Sequence, residues 1–408
     1  MHQRIEADVA LFGAGIAGLW LLARLRAAGF RVVLFESTRI GAGQTHAAQG
    51  IIHSGVKYGL GARREVKALG AMPELWRKAL AGEGPVDLRD AKLLTPHCLF
   101  WVPRGFTGAL TGWLAAAWAK SRVRKLARRD WPEFLAPEAI GAIYSLDEPV
   151  LDVASVAGVL SQQNDGLIGK IDWPDGVRFE VSASGAIEAV RLRRTGPGPS
   201  ETIGLFARAF VFAAGQGNAA IIERLPKFPA KAQMRPLHML LVKGAPGLLY
   251  AHCFAPGGVG TSDKPKLTIT SHIASDGAVV WYVGGEIAEM GVALDREQLI
   301  ERGRAELARW LPGGTWREAR FASLRIGRAE AAQRGGGRPS GPSLVRAQNV
   351  FIAWPTKLAL APLLAEEALQ SLQACGVRPA AGADPAQALR GWPKPALAKP
   401  PWEEASWF

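Results

Sequence analysis

The run Gly13-Ala14-Gly15-Ile16-Ala17-Gly18, read with its flanks, constrains the fold of this 408-residue chain more than any other feature. Val9 to Phe12 before it is a short β-rich run. From Ile16 to Ala28 the residues Leu19, Leu22, Ala23 and Leu25 fall on one helical side. Gly29 ends that helix, Arg31 to Phe35 reads as a second strand, and Glu36 stands at its end, 21 residues after Gly15. Gly13 permits a tight turn, Gly15 lets a pyrophosphate approach the backbone, and Gly18 lets helix and strand pack closely. The helix N-terminus at Ile16 and Ala17 offers N–H groups and a positive dipole end to phosphates. A carboxylate at position 36 accepts both hydroxyls of an adenosine ribose and repels a 2′-phosphate. The glycines alone are weak evidence. Strand, glycines, helix, strand and acid in register predict a dinucleotide site, for FAD or NAD.

The next segment, "GAGQTHAAQGIIHSGVKY" from Gly41 to Tyr58, separates the two cofactors. An NAD dehydrogenase would continue from Glu36 into another helix–strand repeat. This stretch instead holds four glycines and two histidines with little apolar periodicity. It suits an extended backbone that passes close to a flat ligand and donates N–H groups to it, so a flavin is expected here.

These residues resemble the FAD-dependent oxidoreductases of the D-amino-acid oxidase superfamily, which includes glycine and sarcosine oxidases, L-2-hydroxyglutarate oxidases and glycerol-3-phosphate dehydrogenases. Gly50-Ile51-Ile52-His53-Ser54-Gly55-Val56-Lys57-Tyr58 is similar to the hydroxy-acid and glycerol-phosphate branch, and Thr45-His46-Ala47-Ala48 to the dimethylglycine and sarcosine dehydrogenase branch. Three later stretches carry the same resemblance. "EPVLDVASVAGVLSQQ" from Glu148 is similar to the segment that returns the chain to the flavin domain. "ARAFVFAAGQGNAAI" places a strand, Phe210 to Phe212, before Ala213-Ala214-Gly215. "QNVFIAWPTKLALAPLLAEEAL" from Gln348 is strand, turn and helix. The likeness runs from about residue 5 to 375.

The resemblance implies a Rossmann-like α/β FAD-binding domain of the glutathione-reductase type, discontinuous in sequence, with an inserted α+β substrate domain on a mixed β-sheet. The expected FAD domain is residues 1–80, 148–225 and 325–378, and the substrate domain 81–147 and 226–324. "LHMLLVKG", "KLTITSHIA" and "GAVVWYVGGEI" are the β-rich runs of the latter. Residues 379–408 form a Pro- and Trp-bearing tail, expected to order on contact and to serve as a dimer or lid element. Beside the glycines and Glu36, the resemblance implies FAD contacts from Ser37, Gln44, Thr45, His46, Gln49, Gly50, Ile52, Val177, Ala213, Ala214, Gly215, Pro355, Thr356, Lys357 and Leu358. At the last turn relatives carry a Gly/His-rich sequence, where this chain has Trp354-Pro355-Thr356-Lys357-Leu358. Lys357 there would stabilise negative charge at the flavin edge, as a Lys does in the glycerol-phosphate branch. His46 matches a position that joins the flavin covalently in the dimethylglycine-like branch, but with Gln44 beside it ordinary packing is the favoured expectation.

Oxidation of an amine that binds neutral needs no protein base, whereas an alcohol needs a group to take its hydroxyl proton. His53 is the candidate for that task, against a plain packing role. A substrate carboxylate or phosphate would take an arginine fork. Arg325, where many relatives place an arginine, and Arg235 are the candidates, with Tyr58, His238 and His252 as further substrate contacts; the facing of Arg328, three residues on from Arg325, is left open, and at least one of the three arginines is expected to face the pocket. No metal-ligand spacing is visible.

The 49 Lys and Arg against 36 Asp and Glu leave a charge of +13. The basic residues are scattered, which argues against nucleic acid and for attraction of anionic substrates. The densest run, Lys120 to Asp130, follows an apolar helical face at Leu110, Trp113, Leu114, Ala117 and Trp118. A solvated domain-edge helix is the preferred reading, and a peripheral foot on the inner face of a membrane the alternative. No apolar stretch reaches the ~18 residues of a membrane span. The N-terminus does not read as a secretory signal. Three separated cysteines give no disulfide framework, so a cytoplasmic location is expected. A disulfide reductase would need a cysteine pair near residue 45, and a flavin hydroxylase a Gly-Asp element where "IAWPTK" stands. The expected function is therefore oxidation of CH–NH or CH–OH in a small anionic compound, with O2 or a quinone as acceptor. An FAD-binding nucleic-acid-modifying or assembly factor is the alternative from another class.

Overall fold

The computed structural model describes residues 4–55, 68–103, 123–135, 140–194, 201–254, 265–312, 314, 316 and 318–408. Tyr58 and the apolar face at 110–118 lie outside these residues, as does the start of the basic run that follows.

Two eight-stranded sheets organise the chain. The first runs in the order Ser343–Ala347, Val350–Trp354, Thr202–Phe212, Arg4–Phe12, Val32–Glu36, Ile168–Lys170. All neighbours there are parallel except the Ser343–Ala347 edge. Strands Val177–Val181 and Ile187–Arg193 extend from Thr202–Phe212 as an antiparallel arm. Val32–Glu36 is buried at every residue, which explains its unbroken apolar run: a central parallel strand is covered on both faces. The helix Ile16–Ala27 is apolar around most of its circumference for a related reason. It packs on the sheet, on helix Ala361–Ala374 and on helix Val153–Gln162, with Leu19, Leu22 and Leu25 fully buried. Each such leucine contributes about 1.5–3 kcal/mol. The other sheet face is covered by a second cluster that includes Phe12, Phe35, Phe210, Phe212, Trp354 and Trp392.

The second sheet is mixed, in the order Arg320–Ala331, Ala232–Lys243, Val279–Gly284, Leu267–Ile273, Ala251–Cys253, Cys98–Pro103, Ile140–Leu146, Val123–Lys125. Only Ala251–Cys253 and Cys98–Pro103 pair in parallel. Strand Arg320–Ala331 pairs with Ala232–Lys243 along its whole length, so the second sheet reaches Ala331, past the boundary expected at 325. Helix Arg296–Trp310, opened by an Asp295–Gln298 capping box, covers one face.

The C-terminal tail is a strap laid over this chain's own sheets. Trp392 packs edge-on to Phe35 and donates to the Lys170 carbonyl. The backbones of Ala396 and Ala398 pair with Ile40, Trp402 stacks on His272 at 3.8 Å, and Phe408 pairs with Phe321. Among the described residues no helix is long and apolar enough to cross a membrane.

Candidate active site

A cavity of about 730 Å³ runs from the ends of the parallel strands to the second sheet. Its lining holds Gly13, Gly15, Ile16 and Ala17 at one stretch, Glu36 and Ser37 at one end, and Gln44, Thr45, Gln49, Gly50 and His53 along a side. Ala213, Ala214, Gly215, Pro355, Thr356, Lys357 and Leu358 complete it from the first sheet.

The glycine turn is tight where the motif requires it. Gly13 has φ 102°, and a Cβ there would lie 2.6 Å from the Ala213 carbonyl oxygen. A Cβ on Gly18 would lie 1.9 Å from the Gly13 carbonyl oxygen, so Gly18 serves helix–strand packing and does not line the cavity. The Gly15 N-cap has no side chain to satisfy the first turn of the helix, and Thr45 Oγ1 accepts from the Ile16 N–H at 3.0 Å. Glu36 is held by the N–H groups of Ala14 and Thr38, both at 2.7 Å, and by the Thr38 hydroxyl at 2.8 Å. A bare glycine turn at a helix N-terminus with a fixed carboxylate beside it fits the diphosphate and ribose of FAD.

Segment 41–55 is tied to both sheets. Gln44 Oε1 accepts from the Ala329 N–H, Gln49 Nε2 donates to the Thr268 and Tyr282 carbonyls, and the Tyr282 hydroxyl donates to the Ala47 carbonyl. Gly50 has φ 74°, and its carbonyl accepts from the Leu151 N–H while the Ile52 N–H donates to Pro149. This short antiparallel pairing, with the Ile51–Val150 bridge, brings Glu148 under His53. Glu148 is fully buried and accepts from the Ser54 N–H and hydroxyl at 2.7 and 2.8 Å, and its other oxygen lies 3.1 Å from His53 Nδ1. The His252 ring lies 5.7 Å from that of His53, tilted by 35°, and its Nδ1 meets Thr268 Oγ1 at 2.9 Å. Candidate ligand atoms of His53, Glu148 and His252 lie within 4.8 Å of one another, a cluster the sequence spacing does not reveal.

The strand alternation re-sorts the substrate candidates. Arg235, Leu237 and Met239 line the cavity from one strand, so His238 between them faces the other way, where its ring nitrogens meet the Gly291 carbonyl and Ser323 Oγ. On the partner strand Ile326 and Arg328 line the cavity, and Arg325 is turned out to donate to the Val292 and Leu294 carbonyls. Of the three arginines considered, Arg328 and Arg235 face the cavity and Arg325 does not. Burial, with Arg235 and Arg338 adding to it, pulls the Arg328 guanidinium down to about 10. Its buried Nε has no hydrogen-bond partner among the described residues. Arg235 does line the cavity, but its fork is closed on the fully buried Glu330 at 2.5 and 2.7 Å. Arg338 and Glu289 belong to the lining and were not foreseen.

Four further expected contacts do not line it. His46 is buried with Nδ1 3.3 Å from the Lys399 carbonyl, and burial lowers its pKa. Ile52 is core, Val177 lies in the apolar cluster under the antiparallel arm, and His252 sits behind His53. Thr356 adopts φ 64°, a left-handed conformation that favours glycine, and its hydroxyl donates to the Gly341 carbonyl at 2.7 Å. That is where relatives are expected to carry a glycine-rich turn.

The chain matches known proteins along almost its full length. The family model described as FAD dependent oxidoreductase matches residues 8–368. A probable FAD-dependent oxidoreductase of Pseudomonas aeruginosa is 40% identical over 417 residues, covering 99% of this chain and all of that protein. A crystal structure of an FAD-dependent oxidoreductase from Pseudomonas aeruginosa superposes with a TM-score of 0.81 at 34% identity, over 99% of both chains. Glycine oxidase from Geobacillus kaustophilus shares the fold, with a TM-score of 0.61 at 18% identity over 91% of this chain and 95% of that one. With the cavity geometry, these matches place the chain in the FAD-dependent oxidoreductase family of the D-amino-acid oxidase type, and its cofactor is FAD.

Proposed function

We propose that the protein oxidises a CH–OH or CH–NH bond in a small anionic compound: a 2-hydroxy acid, an amino acid or an N-substituted glycine. The observation that carries this reading is one cavity lined by both His53 and Arg328. Bound FAD supplies the acceptor for the hydride and its electron pair. Gly13, Gly15, Ile16 and Ala17 would hold the diphosphate, and Glu36 and Ser37 the adenosine ribose. Gln44 to Gly50, with Pro355 to Leu358, would flank the flavin. Lys357 would place a positive charge at its edge.

Arg328 would bind the substrate carboxylate. A guanidinium with a buried, unpartnered Nε gains more from a charge-assisted contact than a solvated one. Glu289 in the same lining limits the net positive charge. His53 would take the proton of a substrate hydroxyl, a step that a neutral amine does not require. The hydroxy acid is therefore the substrate that uses all of these groups, with O2 or a quinone as the final acceptor.

The test is anaerobic loss of visible flavin absorbance on mixing with a panel of 2-hydroxy acids, amino acids, N-methylglycines, glycerol 3-phosphate and neutral alcohols. Bleaching by an anionic member, weakened about tenfold or more in apparent affinity by Arg328→Met, is the expected result. Bleaching by neutral alcohols alone, or by none of the panel, would overturn the reading.

A further inference from the structure

We propose that Glu148 is a positioning residue for His53: it accepts the Nδ1–H of the imidazole and so fixes the basic lone pair on Nε2. This rests on the reading of His53 as the proton acceptor, and adds to it a residue that touches neither substrate nor cofactor.

Glu148 is far from His53 in sequence, by 95 residues, and is delivered by the pairing of 50–52 with 149–151. One carboxylate oxygen is anchored by the Ser54 N–H and hydroxyl, which leaves the other 3.1 Å from Nδ1. An ionised carboxylate only accepts hydrogen bonds, so it has no proton to give to the ring. The hydrogen therefore sits on Nδ1, and the neutral ring carries its lone pair on Nε2. His53 is partly buried and lines the cavity, whereas Glu148 is fully buried and does not. Among the described residues that face His53 are this carboxylate and the His252 ring at 5.7 Å, itself held through Nδ1 by Thr268.

The arrangement also directs the proton. When Nε2 takes a hydroxyl proton from an alcohol, the imidazolium lies against a carboxylate that does not itself become protonated. The negative carboxylate stabilises the imidazolium that this step forms.

The first test needs no substrate: nitrogen-detected spectra of the histidine-labelled holoenzyme, with the His53 signals assigned by their loss in His53→Gln. The expected result is a neutral ring protonated at Nδ1. A ring protonated at Nε2 would overturn the proposal even if the enzyme's substrate were never found. The second test compares Glu148→Gln with Glu148→Asp under an active substrate. In Glu148→Gln the acid limb of the kcat/KM profile moves to lower pH, because the imidazolium loses its carboxylate, and kcat falls about tenfold or more. Glu148→Asp keeps the charge and retains the limb near its original position. If Glu148→Gln keeps both the wild-type tautomer and the wild-type limb, Glu148 is purely structural and the proposal fails.

Discussion

Gly50→Ala should cost far more than a glycine substitution in the same loop normally does. Gly50 sits at φ 74°, and an added Cβ would lie 2.1 Å from the Leu151 carbonyl oxygen and 3.3 Å from Val153 Cγ2. The left-handed backbone alone costs a residue with a Cβ about 1–2 kcal/mol. The backbone contact cannot be relieved by rotating a side chain, and forced repacking of this kind adds about 1–3 kcal/mol. Parting the two segments also strains the Leu151→Gly50 and Ile52→Pro149 hydrogen bonds, at 3.0 and 2.9 Å, each worth about 1 kcal/mol. The total is ~4–7 kcal/mol if both bonds are lost, a large share of the ~5–15 kcal/mol that holds a protein folded. Gly43 is the matched control: its φ is 66°, and nothing lies within 4 Å of its Cβ position. Gly43→Ala should therefore cost only the backbone term, about 1–2 kcal/mol. Urea unfolding of the two FAD-loaded variants, with FAD release followed in parallel, measures the difference. Equal midpoints and equal FAD retention would refute the claim that the 50–52 pairing holds the cavity wall.

Arg235→Met should destabilise the protein by about 3–5 kcal/mol, because it leaves Glu330 buried and charged. Adding Glu330→Met should recover most of that loss in a urea midpoint, and failure to recover would mean the pair is not the cause. Stability should also fall on acidification. His272, stacked on Trp402, is pulled down to about 3 by burial, with the charge of Lys92 adding to it, below the ~6.5 of an unfolded chain. The unfolded state then binds the extra proton between those values, so this histidine's contribution is complete above about pH 6.5 and is lost towards pH 3, at up to ~1.4 kcal/mol per pH unit. His46 and His238 are shifted the same way by burial. Unfolding free energies across that range for wild type and His272→Phe should differ in slope, and parallel curves would contradict the assignment. Ending the chain at Gly391 should lower both melting temperature and FAD retention, since it removes Trp392, Trp402 and the backbone partners of Ile40. A truncated protein with unchanged FAD retention would show that the strap does not support residues 37–48.

The part of the cavity lining that the glycine motif supplies was legible because its determinants are local. Gly13, Gly15, Gly18 and Glu36 act through one strand–helix–strand unit, and each constraint lies within a few turns of chain. The substrate side was not, because it depends on strand register between distant segments. Arg325 and Arg328 are three residues apart, and only the pairing of Arg320–Ala331 with Ala232–Lys243 decides which faces inward. Period two then sends Arg325 and His238 to one face and Arg328 and Arg235 to the other. Glu148 was visible only as the start of a resembling stretch. The signal for its role, a buried acid meeting Ser54 and His53, is tertiary. His46 matched a flavin-contact position by motif, and its Nδ1 instead meets the strap carbonyl of Lys399, a partner too distant in sequence for the motif to show. The strap itself was foreseen as a segment ordered on contact, but not as one laid across both sheets of its own chain.

The proposed site puts the isoalloxazine along Gln44 to Gly50, with His53 and Arg328 at its open side. A crystal structure of the FAD-loaded protein with a non-reactive carboxylate bound tests this most directly. The account predicts adenosine at Glu36, the flavin ring against Gly50 and Lys357, and the carboxylate on Arg328 with its neighbouring carbon facing His53. A flavin ring outside that segment, or a carboxylate held on Arg325 or elsewhere away from His53, would contradict it.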